Sequence, residues 1–538
     1  MKKTEISRRK FMGVSGASLA GGLIPKMGQA AGGAPAGETT GRKPNLILFM
    51  PDEMRADALA CYGNPVCRTP NLDRLAAEGT RFENCHVQYP VCGASRCSLL
   101  TGWPVSVRGH RSLFYFLRPE EPNLFRYLKR NGYDVFWYGK NDALAAQSFY
   151  DSVTQWNYPP VAVTGRNALA EHNRLWPAND PHYYSFLFPE GGDRRDTSDY
   201  HHLQAGIRIL ERKESERPFC IFLPLLNPHP PYTAPKGFHN LYDPAKLPPL
   251  RPPNLAKKPN FYEGIRKEYN LGGLEDADFR KIHAVYLGQV SYADWLLGEL
   301  MEAVERTGHK DDTALFVLSD HGDYAGDYGL VEKWPSGLAD VLTHVPLIAR
   351  VPGAAANHVV GNMVELFDVM ATCLDLAGVE AEHTHFARSL MPQIHGGAGD
   401  PERTVFCEGG YNVYEPQCFE YPLPKGTLYY PKTHLQLTQP EMITRSAMVR
   451  TRTHKLILRP QGQSELYAYR DDPRELHNLY GESSVAGVEH ELERRLAAWY
   501  LQTTGIAPFD KDQRGFPQFY PTPDFRKQND LPKIMDEP

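Results

Sequence analysis

The chain has 538 residues, 41% of them hydrophobic and 23% charged, and a formal net charge of -5. This length is ample for a large α/β core with a second domain attached. The acidic balance leaves no basic surface to wrap a nucleic acid, so we expect no nucleic-acid partner. Nine cysteines are too few for a disulfide scaffold, and the odd count leaves at least one thiol unpaired.

The first 31 residues predict an export signal. A pair of arginines in SRRKFM, residues 7–12, precedes a short apolar stretch that several glycines interrupt, which is typical of a twin-arginine signal peptide. We expect the Tat translocon to carry the folded protein to the periplasm or the cell exterior; a disordered basic tail is the alternative. Residues 32–43 form a predicted linker. No segment supplies the roughly 20 apolar residues of a spanning helix, so we expect no stable membrane insertion.

From residue 44 the chain alternates short apolar runs with amphipathic stretches, the pattern of a mostly parallel sheet covered by helices. Five runs predict buried strands, at residues 45–50, 134–138, 219–224, 313–318 and 345–350. A helix is predicted over residues 71–78, just before Gly79, and a longer one has its apolar face over residues 282–300. The predicted fold class is α/β, with a large mixed, mostly parallel sheet sandwiched by helices in an N-terminal domain at residues 44–399.

The C-terminal part of the chain has a different pattern. Residues 448–458 and 465–469 alternate apolar and polar side chains around a turn at Gly462, which predicts antiparallel strands. We expect a smaller C-terminal α+β domain built on an antiparallel sheet, at residues 400–538, with a proline-rich tail. Residues 227–255 are rich in proline and polar residues and predict an irregular loop over the functional site.

Polar residues follow four of the predicted strands at their carboxyl ends, where ligands bind in open α/β sheets. These residues are Asp52 and Glu53, Lys140 and Asp142, His229, and Asp320 and His321. Carboxylates with an imidazole suit a divalent cation, and lysines with a histidine suit a tetrahedral anion. Taken singly, Asp52 is better explained as a loop or capping residue and Lys140 as a solvated surface charge. Their combination at one sheet edge predicts a metal and anion site instead.

The most specific segment is VCGASRCSLLTG, residues 91–102, and here the sequence resembles the sulfatase family. The family signature has a cysteine or serine, an arginine four positions later and a closing LTG; Cys92 and Arg96 match it. The resemblance implies that a maturation enzyme oxidises Cys92 to formylglycine, whose hydrated aldehyde is the nucleophile. Physically, Cys92 would lie where a helix begins and the dipole favours an anion. A half-buried structural cysteine is the alternative.

Three further stretches resemble the family in the same order along the chain: residues 69–79, residues 319–333 with SDHG and a lysine, and residues 465–479. The resemblance implies a role for each matching residue. The metal ligands would be Asp52, Glu53, Asp320, His321 and modified Cys92. Arg96 would brace the formylglycine, and Lys140 and Lys333 would hold sulfate oxygens. His229 would protonate the leaving alcohol. The implied reaction is hydrolysis of a sulfate ester, with residues 44–399 as the catalytic domain.

The chain departs from the family pattern in three places. Ala94 replaces the signature proline, which leaves open which maturation system accepts the segment. Asp142 stands where many members carry a histidine. The hydrated aldehyde has two hydroxyls, and the proton of the one that does not attack sulfur would pass to Asp142, to His110, or to neither. The Asp-Glu and Asp-His ligand set leaves the metal open, and we expect calcium, with magnesium, manganese and zinc as alternatives.

Two other functions fit the same residues. A phosphonate monoester or phosphodiester hydrolase on this scaffold would also use formylglycine, since the site would accept a tetrahedral monoanion of either element. A non-catalytic protein that binds sulfated ligands would result if Ala94 blocked the conversion of Cys92. For the enzyme we expect a sulfated small molecule or glycan as substrate, because of the predicted export and of arginines and aromatics in candidate rim loops. Those candidate rim residues are Arg108, Arg111, Tyr115 and Tyr232.

Overall fold

The computed structural model describes residues 43–156, 176–212 and 216–506. The predicted signal at residues 1–31, the linker up to residue 42 and the chain from residue 507 onward lie outside the described residues. Within the described part, no helix is long and apolar enough to cross a bilayer. The same residues build two sheets, one of eight strands and one of four.

The larger sheet is mixed and mostly parallel. Its strands are β1 (Asn45–Asp52), β2 (Thr80–His86), β3 (Asp134–Trp137), β4 (Gln155–Trp156), β5 (Phe219–Pro228), β6 (Thr313–Leu318), β7 (His344–Arg350) and β8 (His358–Glu365). They lie in the order β4-β3-β5-β1-β6-β7-β2-β8. Of these described strands only β7 is antiparallel to its neighbours, β6 and β2. The other seven strands therefore share one carboxyl edge.

Helices cover both faces of this sheet. The described α-helices are α1 (Pro70–Glu78), α2 (Cys92–Thr101), α3 (Leu124–Arg130), α4 (Phe149–Ser152), α5 (Ser198–Glu211), α6 (Phe261–Glu268), α7 (Asp276–Arg306), α8 (Asp340–Thr343), α9 (Asp368–Ala377), α10 (Met391–Ile394), α11 (Tyr430–Thr438) and α12 (Ala486–Thr503). Alternate side chains of β1 enter two separate buried clusters: Ile47 and Phe49 join the one that contains the α7 side chains, and Leu46 and Leu48 join the one that contains α3 and α9. This burial on both faces explains why the central strands are continuous apolar runs.

The smaller sheet is antiparallel, in the order β12-β11-β10-β9. Its strands are β9 (Val405–Gly409), β10 (Ser446–Arg450), β11 (His454–Leu458) and β12 (Glu465–Ala468). One face packs on α12, where Leu492 and Leu496 meet Val449 and Leu456. Helix α12 thus keeps this face of the sheet out of water.

A buried ionic network ties the smaller sheet to the region before β7. Lys455 of β11 places its Nζ 2.8 Å from Oδ1 of Asp340 and 2.6 Å from Oε1 of Glu475. Arg450 of β10 contacts the other carboxylate oxygen of Asp340. Because these side chains are buried, each charge depends on its partners for stability.

The predicted fold class is confirmed, and the five predicted strands are present with end shifts of at most four residues. The sequence did not predict β2, β4, β8 or β9. Strand β2 contains polar residues on its outward face, as at Glu83, and β8 contains Gly361, so neither shows a clean apolar period. Residues 448–458 form two strands, β10 and β11, divided by a turn at residues 451–453.

Candidate active site

The carboxyl edge of the larger sheet brings together polar side chains from four strands and one helix. Strand β1 ends at Asp52, and the parallel register pairs it with Pro228 of β5, so that His229 follows at the same place. Asp320 and His321 follow directly after Ser319 at the end of β6. The chain segments predicted to meet at this edge therefore do meet there.

Lys140 reaches the edge because two backbones approach closely. Gly139 has φ 137°, and a Cβ atom at this position would lie 2.2 Å from the carbonyl oxygen of Pro224 in β5. Glycine leaves this space free, and the amide of Lys140 donates to the same carbonyl at 2.8 Å. The Lys140 side chain remains 22% exposed, at the mouth of the site.

Cys92 is the first residue of α2, and no side chain caps this helix end, so the free amides and the dipole favour an anion there. Its Sγ lies 3.1 Å from Nε2 of His321, 3.5 Å from Oδ1 of Asp52 and 3.4 Å from Nζ of Lys140. Burial raises the pKa of this thiol well above its ordinary value, and Asp52 adds to the rise. An unmodified Cys92 is therefore a neutral thiol and a poor nucleophile.

Four buried side chains form a group that fits a divalent cation. Asp52, Cys92, Asp320 and His321 each offer one ligand atom, all within 4.8 Å of one another. Nδ1 of His321 lies 2.9 Å from the carbonyl oxygen of Gly322, so Nδ1 carries the proton and Nε2 is left to coordinate. Burial lowers the pKa of His321 to about 4, which keeps the ring neutral, as a metal ligand must be.

Arg96, one turn further along α2, braces both carboxylates of this group. Its Nε donates to Oδ2 of Asp320 at 2.8 Å, and a terminal nitrogen lies 3.2 Å from Oδ2 of Asp52. Burial alone would raise the pKa of Asp52, but Lys140 and Arg96 hold it well below its usual range. The carboxylate of Asp52 is therefore ionised and fixed in place before any ligand binds.

Glu53 lies in a second group, with Cys92 and His229, which shares Cys92 with the group of four. Nε2 of His229 is 3.1 Å from Oε1 of Glu53, and Lys333 contacts that same oxygen. Oε2 of Glu53 has no hydrogen-bond partner, and its backbone is left-handed, with φ 65°. Burial raises the pKa of Glu53 well above its ordinary value, although Lys333 opposes the rise.

The structure separates the two candidate acceptors for the second hydroxyl's proton. Oδ2 of Asp142 lies 3.0 Å from Nζ of Lys140, so this carboxylate adjoins the site through the lysine. The ring nitrogens of His110 lie 2.9 Å from the carbonyl oxygen of Tyr115 and 3.1 Å from Oε1 of Glu121. Both nitrogens of His110 are therefore engaged elsewhere, and the structure does not bring this residue into the site.

The predicted rim residues have different environments. Tyr115 is 41% exposed, and Arg108 is exposed over the Trp103 ring. Arg111 is mostly buried in an ion pair with Glu415. For Tyr232 the prediction is wrong, because this side chain is fully buried. Its hydroxyl donates to Oδ1 of Asp323 at 2.7 Å and accepts from the amide of Glu332 at 2.8 Å.

Several residues that support the site were missed from the sequence. Glu332 places Oε1 2.8 Å from Nζ of Lys333 and 3.1 Å from Nζ of Lys432. Ser319 accepts from the amide of Met54 and donates to the carbonyl of Pro51, each at 2.8 Å. Glu332 and Ser319 are sequence neighbours of predicted residues, and that was the available signal. Lys432 lies 100 positions from its partner, and nothing in the sequence connects the two.

Known proteins share this sequence pattern and this fold. The model of the sulfatase family matches residues 44–379, and the one described as N-sulphoglucosamine sulphohydrolase, C-terminal, matches residues 326–502. Iduronate 2-sulfatase of Mus musculus is 26% identical over 525 residues, with 83% of this chain and 93% of the relative covered.

Two solved structures share the fold. A phosphonate monoester hydrolase of Agrobacterium radiobacter matches with a TM-score of 0.67 and 21% identity, over 86% of this chain and 96% of that one. A protein in complex with its substrate D-glucosamine-2-N,6-O-disulfate also matches with a TM-score of 0.67, at 20% identity, over 88% of this chain and 100% of that one.

The match to the sulfatase family places the mixed sheet and the buried carboxylates at its carboxyl edge in the alkaline phosphatase-like superfamily. Because the family match spans more than half of its length, the chain belongs to the sulfatase family and is a sulfuric ester hydrolase. The resemblance first noted at residues 91–102 is thereby confirmed.

Proposed function

We propose that the protein hydrolyses sulfate esters through a formylglycine formed at Cys92 and held beside a divalent cation. In its hydrated form the modified residue would supply two hydroxyls on one carbon, one to attack sulfur and one whose proton loss later expels sulfate. The observation that carries the proposal is the position of Cys92 at the start of α2, with its Sγ 3.1 Å from His321 and 3.4 Å from Lys140.

The donor set fits the proposed cation. Asp52, Asp320 and His321 would hold it together with the oxygen of modified residue 92, and the unpartnered Oε2 makes Glu53 a further candidate ligand. We propose calcium, which suits the carboxylate oxygens, and keep magnesium, manganese and zinc as alternatives, because the imidazole nitrogen of His321 also suits a transition metal. When bound, the cation would lower the pKa of the attacking hydroxyl and neutralise charge on the sulfate.

Two ammonium groups would hold the sulfate oxygens. Nζ of Lys140 lies 3.4 Å from Sγ of Cys92. Lys333 contacts Glu53. Burial opposes the charge of Lys333, but the neighbouring carboxyl groups of Glu332 and Glu53 raise its pKa well above the ordinary value, so it stays protonated. Paired cations of this kind bind tetrahedral anions through charge-assisted hydrogen bonds.

His229 would protonate the leaving alcohol. Its Nδ1 lies 2.6 Å from the carbonyl oxygen of Pro230 and so is the donor there, leaving Nε2 toward Glu53 and Lys333. Burial and the charge of Lys333 lower the pKa of His229 well below its ordinary value in the free protein. A bound sulfate ester brings negative charge that favours the imidazolium, so Nε2 can deliver a proton to the leaving oxygen.

Mass spectrometry of the peptide that contains residue 92, from protein expressed in its own host, tests the mechanism. We expect the mass of formylglycine at this position and loss of sulfate release in a Cys92→Ala variant. An unmodified cysteine in active protein would rule the mechanism out. The matched variant Ala94→Pro restores the family signature and shows whether Ala94 limits the conversion.

Hydrolysis of phosphonate monoesters or phosphodiesters is the second candidate, favoured by the Asp320-His321 pair and by the phosphonate monoester hydrolase that shares the fold. Comparing kcat/KM for 4-nitrophenyl sulfate and bis(4-nitrophenyl) phosphate separates the two.

We propose a sulfated carbohydrate as the natural substrate, supported by the similarity to iduronate 2-sulfatase. Good turnover of aryl sulfates with none of any sulfated glycan would contradict that proposal.

We further propose export by the Tat pathway after conversion by a maturation enzyme, and a division into domains at residues 44–399 and 400–538. The support for export is the SRRKFM segment, and the support for the division is the separate four-stranded sheet. Replacing both arginines by lysine, Arg8→Lys with Arg9→Lys, should keep the protein in the cytoplasm. Unchanged export of this variant, measured by cell fractionation, would contradict the pathway.

A further inference from the structure

The backbone around His229 forms a turn that also orients the imidazole ring. This segment, residues 226–231, is here called the His229 turn, and its first three residues are the last three of β5. The amide of His229 donates to the carbonyl of Leu226 at 2.9 Å, which closes the turn. Nδ1 of the ring lies 2.6 Å from the carbonyl oxygen of Pro230 in the same turn. The direction of Nε2 therefore follows the position of this backbone.

Asp199, in the first turn of α5, holds the start of the His229 turn. Its side chain is fully buried. Oδ1 accepts from the amide of Leu226 at 2.8 Å. Oδ2 accepts from the amide of Asn227 and from its side-chain Nδ2, each at 2.8 Å. Three short hydrogen bonds to one carboxylate thus fix two successive peptide groups of the turn.

Gln289 holds the same turn from a second helix, α7. Its side chain is buried, and its Nε2 lies 3.3 Å from the carbonyl oxygen of His229 and 3.2 Å from that of Pro231. The same nitrogen lies 3.4 Å from Oδ1 of Asn227. These contacts are longer than those of Asp199, and they reach later residues. The His229 turn is therefore held along its whole length by two helices.

Both side chains are committed to this turn. Among the described residues, every hydrogen bond of the Asp199 carboxylate and of the Gln289 amide goes to residues 226–231. Burying such polar groups costs free energy that their hydrogen bonds must offset. What these two residues fix in return is the backbone that carries His229.

We propose that Asp199 and Gln289 are positioning residues that hold Nε2 of His229 where it can protonate the leaving alcohol. This inference rests on the proposed function and on the acid role of His229 within it. A general acid acts only within hydrogen-bond reach of the leaving oxygen. A small displacement of the turn therefore weakens the proton transfer and leaves the nucleophile and the cation ligands in place. The loss of rate should be greatest for esters whose leaving group most needs a proton.

The dependence of kcat/KM on the leaving group tests this inference. The leaving phenolate of 4-nitrophenyl sulfate is a weak base, whereas that of phenyl sulfate is a stronger base and depends more on the acid. We expect Asp199→Asn to lower kcat/KM for phenyl sulfate by about 10-fold to 100-fold, and for 4-nitrophenyl sulfate by at most about threefold. Asparagine keeps the size of the side chain but turns a donor toward an amide that also donates.

Gln289→Met provides a second, independent variant, because it keeps the length of the side chain and removes the donor. It should change the ratio of the two kcat/KM values in the same direction, to a smaller degree, since its contacts are longer. Unchanged ratios in both Asp199→Asn and Gln289→Met would overturn the inference.

Asp294 of α7 offers a closely matched control. This buried carboxylate accepts from the amides of Asn71 and Leu72 and from Nδ2 of Asn71, so its three donors are of the same kinds as those of Asp199. Asp294→Asn makes the same chemical change at a place whose hydrogen bonds go to α1. The ratio of its two kcat/KM values should equal that of the parent protein. An equal change in this control would show a general loss of stability and would also overturn the inference.

Nuclear magnetic resonance of the imidazole ring gives a readout without turnover. In the full-length Cys92→Ala protein labelled with 15N-histidine, the ring signals of His229 are identified by their loss on His229→Ala substitution. Asp199→Asn should shift these signals, whereas Asp294→Asn should leave them in place. Signals that stay unchanged in Asp199→Asn would overturn the inference. Failure of the proposed function gives a different result, namely no sulfate release from either ester by the unsubstituted protein, and leaves this comparison intact.

Discussion

At the scale of single residues, the buried charges of the site are held in mutually supporting pairs. Arg96 contacts both Asp52 and Asp320, and Lys140 contacts Asp52 at 2.6 Å. Desolvated charges are costly unless paired in this way, so these contacts stabilise the site before substrate arrives. Oε2 of Glu53 is one of several buried polar atoms beside them without a hydrogen-bond partner among the described residues, and a cation there would satisfy it.

The position of Asp142 predicts a role in proton transfer through Lys140. Asparagine at this position keeps a hydrogen bond to the lysine but cannot accept a proton, so Asp142→Asn should lower kcat by about 100-fold, with a much smaller change in KM. Steady-state kinetics with an aryl sulfate measures both parameters. Asp151→Asn, at a largely exposed aspartate, is the control. Full activity of Asp142→Asn would show that another group takes the proton.

Which site residues can be predicted depends on how the chain delivers them. Asp52, Asp320 and His321 follow long apolar strands, so their place at the sheet edge follows from strand direction alone. The contacts of Glu53 with His229 and Lys333 could not be predicted, because they join residues far apart in the chain. The buried state of Tyr232 likewise depends on distant partners in the 323–332 segment.

At the scale of secondary structure, one helix is capped by another. No side chain within α1 caps its start, and Asp294 of α7 instead accepts from the amides of Asn71 and Leu72 at 3.0 and 2.8 Å. The sequence predicted α1 from its own start and stop signals. The cap could not be predicted, since it comes from more than 220 residues away.

This cap predicts a pH dependence of stability. Burial raises the pKa of Asp294 to about 6, despite the amide hydrogen bonds. The ordinary pKa of an aspartate is about 4, so the folded state binds this proton more tightly than the unfolded chain does. The stability gained from binding this proton is present below about pH 4 and is lost as the pH rises through about 6. Asp294→Asn removes the titration. The difference in unfolding free energy between variant and parent should therefore change by about 3 kcal/mol across this window. A constant difference in urea unfolding would contradict the prediction.

The ionic network beneath the smaller sheet predicts a large effect of a single lysine. Lys455→Met leaves Glu475 without its cation and weakens the pairing of Asp340 in a buried place. We expect the free energy of unfolding to fall by about 3 to 5 kcal/mol. Lys257→Met breaks the exposed pair with Glu482 and serves as control, with an expected loss of at most about 1 kcal/mol. Equal effects of the two substitutions in urea unfolding would show that the network is not stabilising.

The strands that could be predicted are the ones buried on both faces. Strands β1, β5 and β6 have near-continuous apolar runs, and the sequence locates them closely. Strand β4 has only two residues, too few for any periodicity. The turn between β10 and β11 has no glycine or proline, which hid the division of that run into two strands.

At the scale of the whole molecule, the proposed cation couples the site to global stability. A metal that binds only the folded state stabilises it by about 3 kcal/mol at a concentration of 100 times Kd. Removal of metal by a chelator should therefore lower the melting temperature by a few degrees, and calcium or a competing divalent ion should restore it. Asp320→Asn should lose most of this response, whereas Asp151→Asn should keep it. An unchanged melting temperature of the parent protein after addition of the chelator would contradict a bound cation.

All ten residues of α2 are buried, and Cys92 is 1% exposed. An oxidising enzyme has to surround this thiol with its own active site, which the folded chain does not permit. The conversion of Cys92 proposed above would therefore precede folding and take place while the segment is still extended. A molecule that folds before the conversion would keep its thiol. Under the proposed mechanism the fraction of active protein would depend on the relative rates of conversion and folding, so slower synthesis or a destabilised α2 should raise the fraction of molecules that are active.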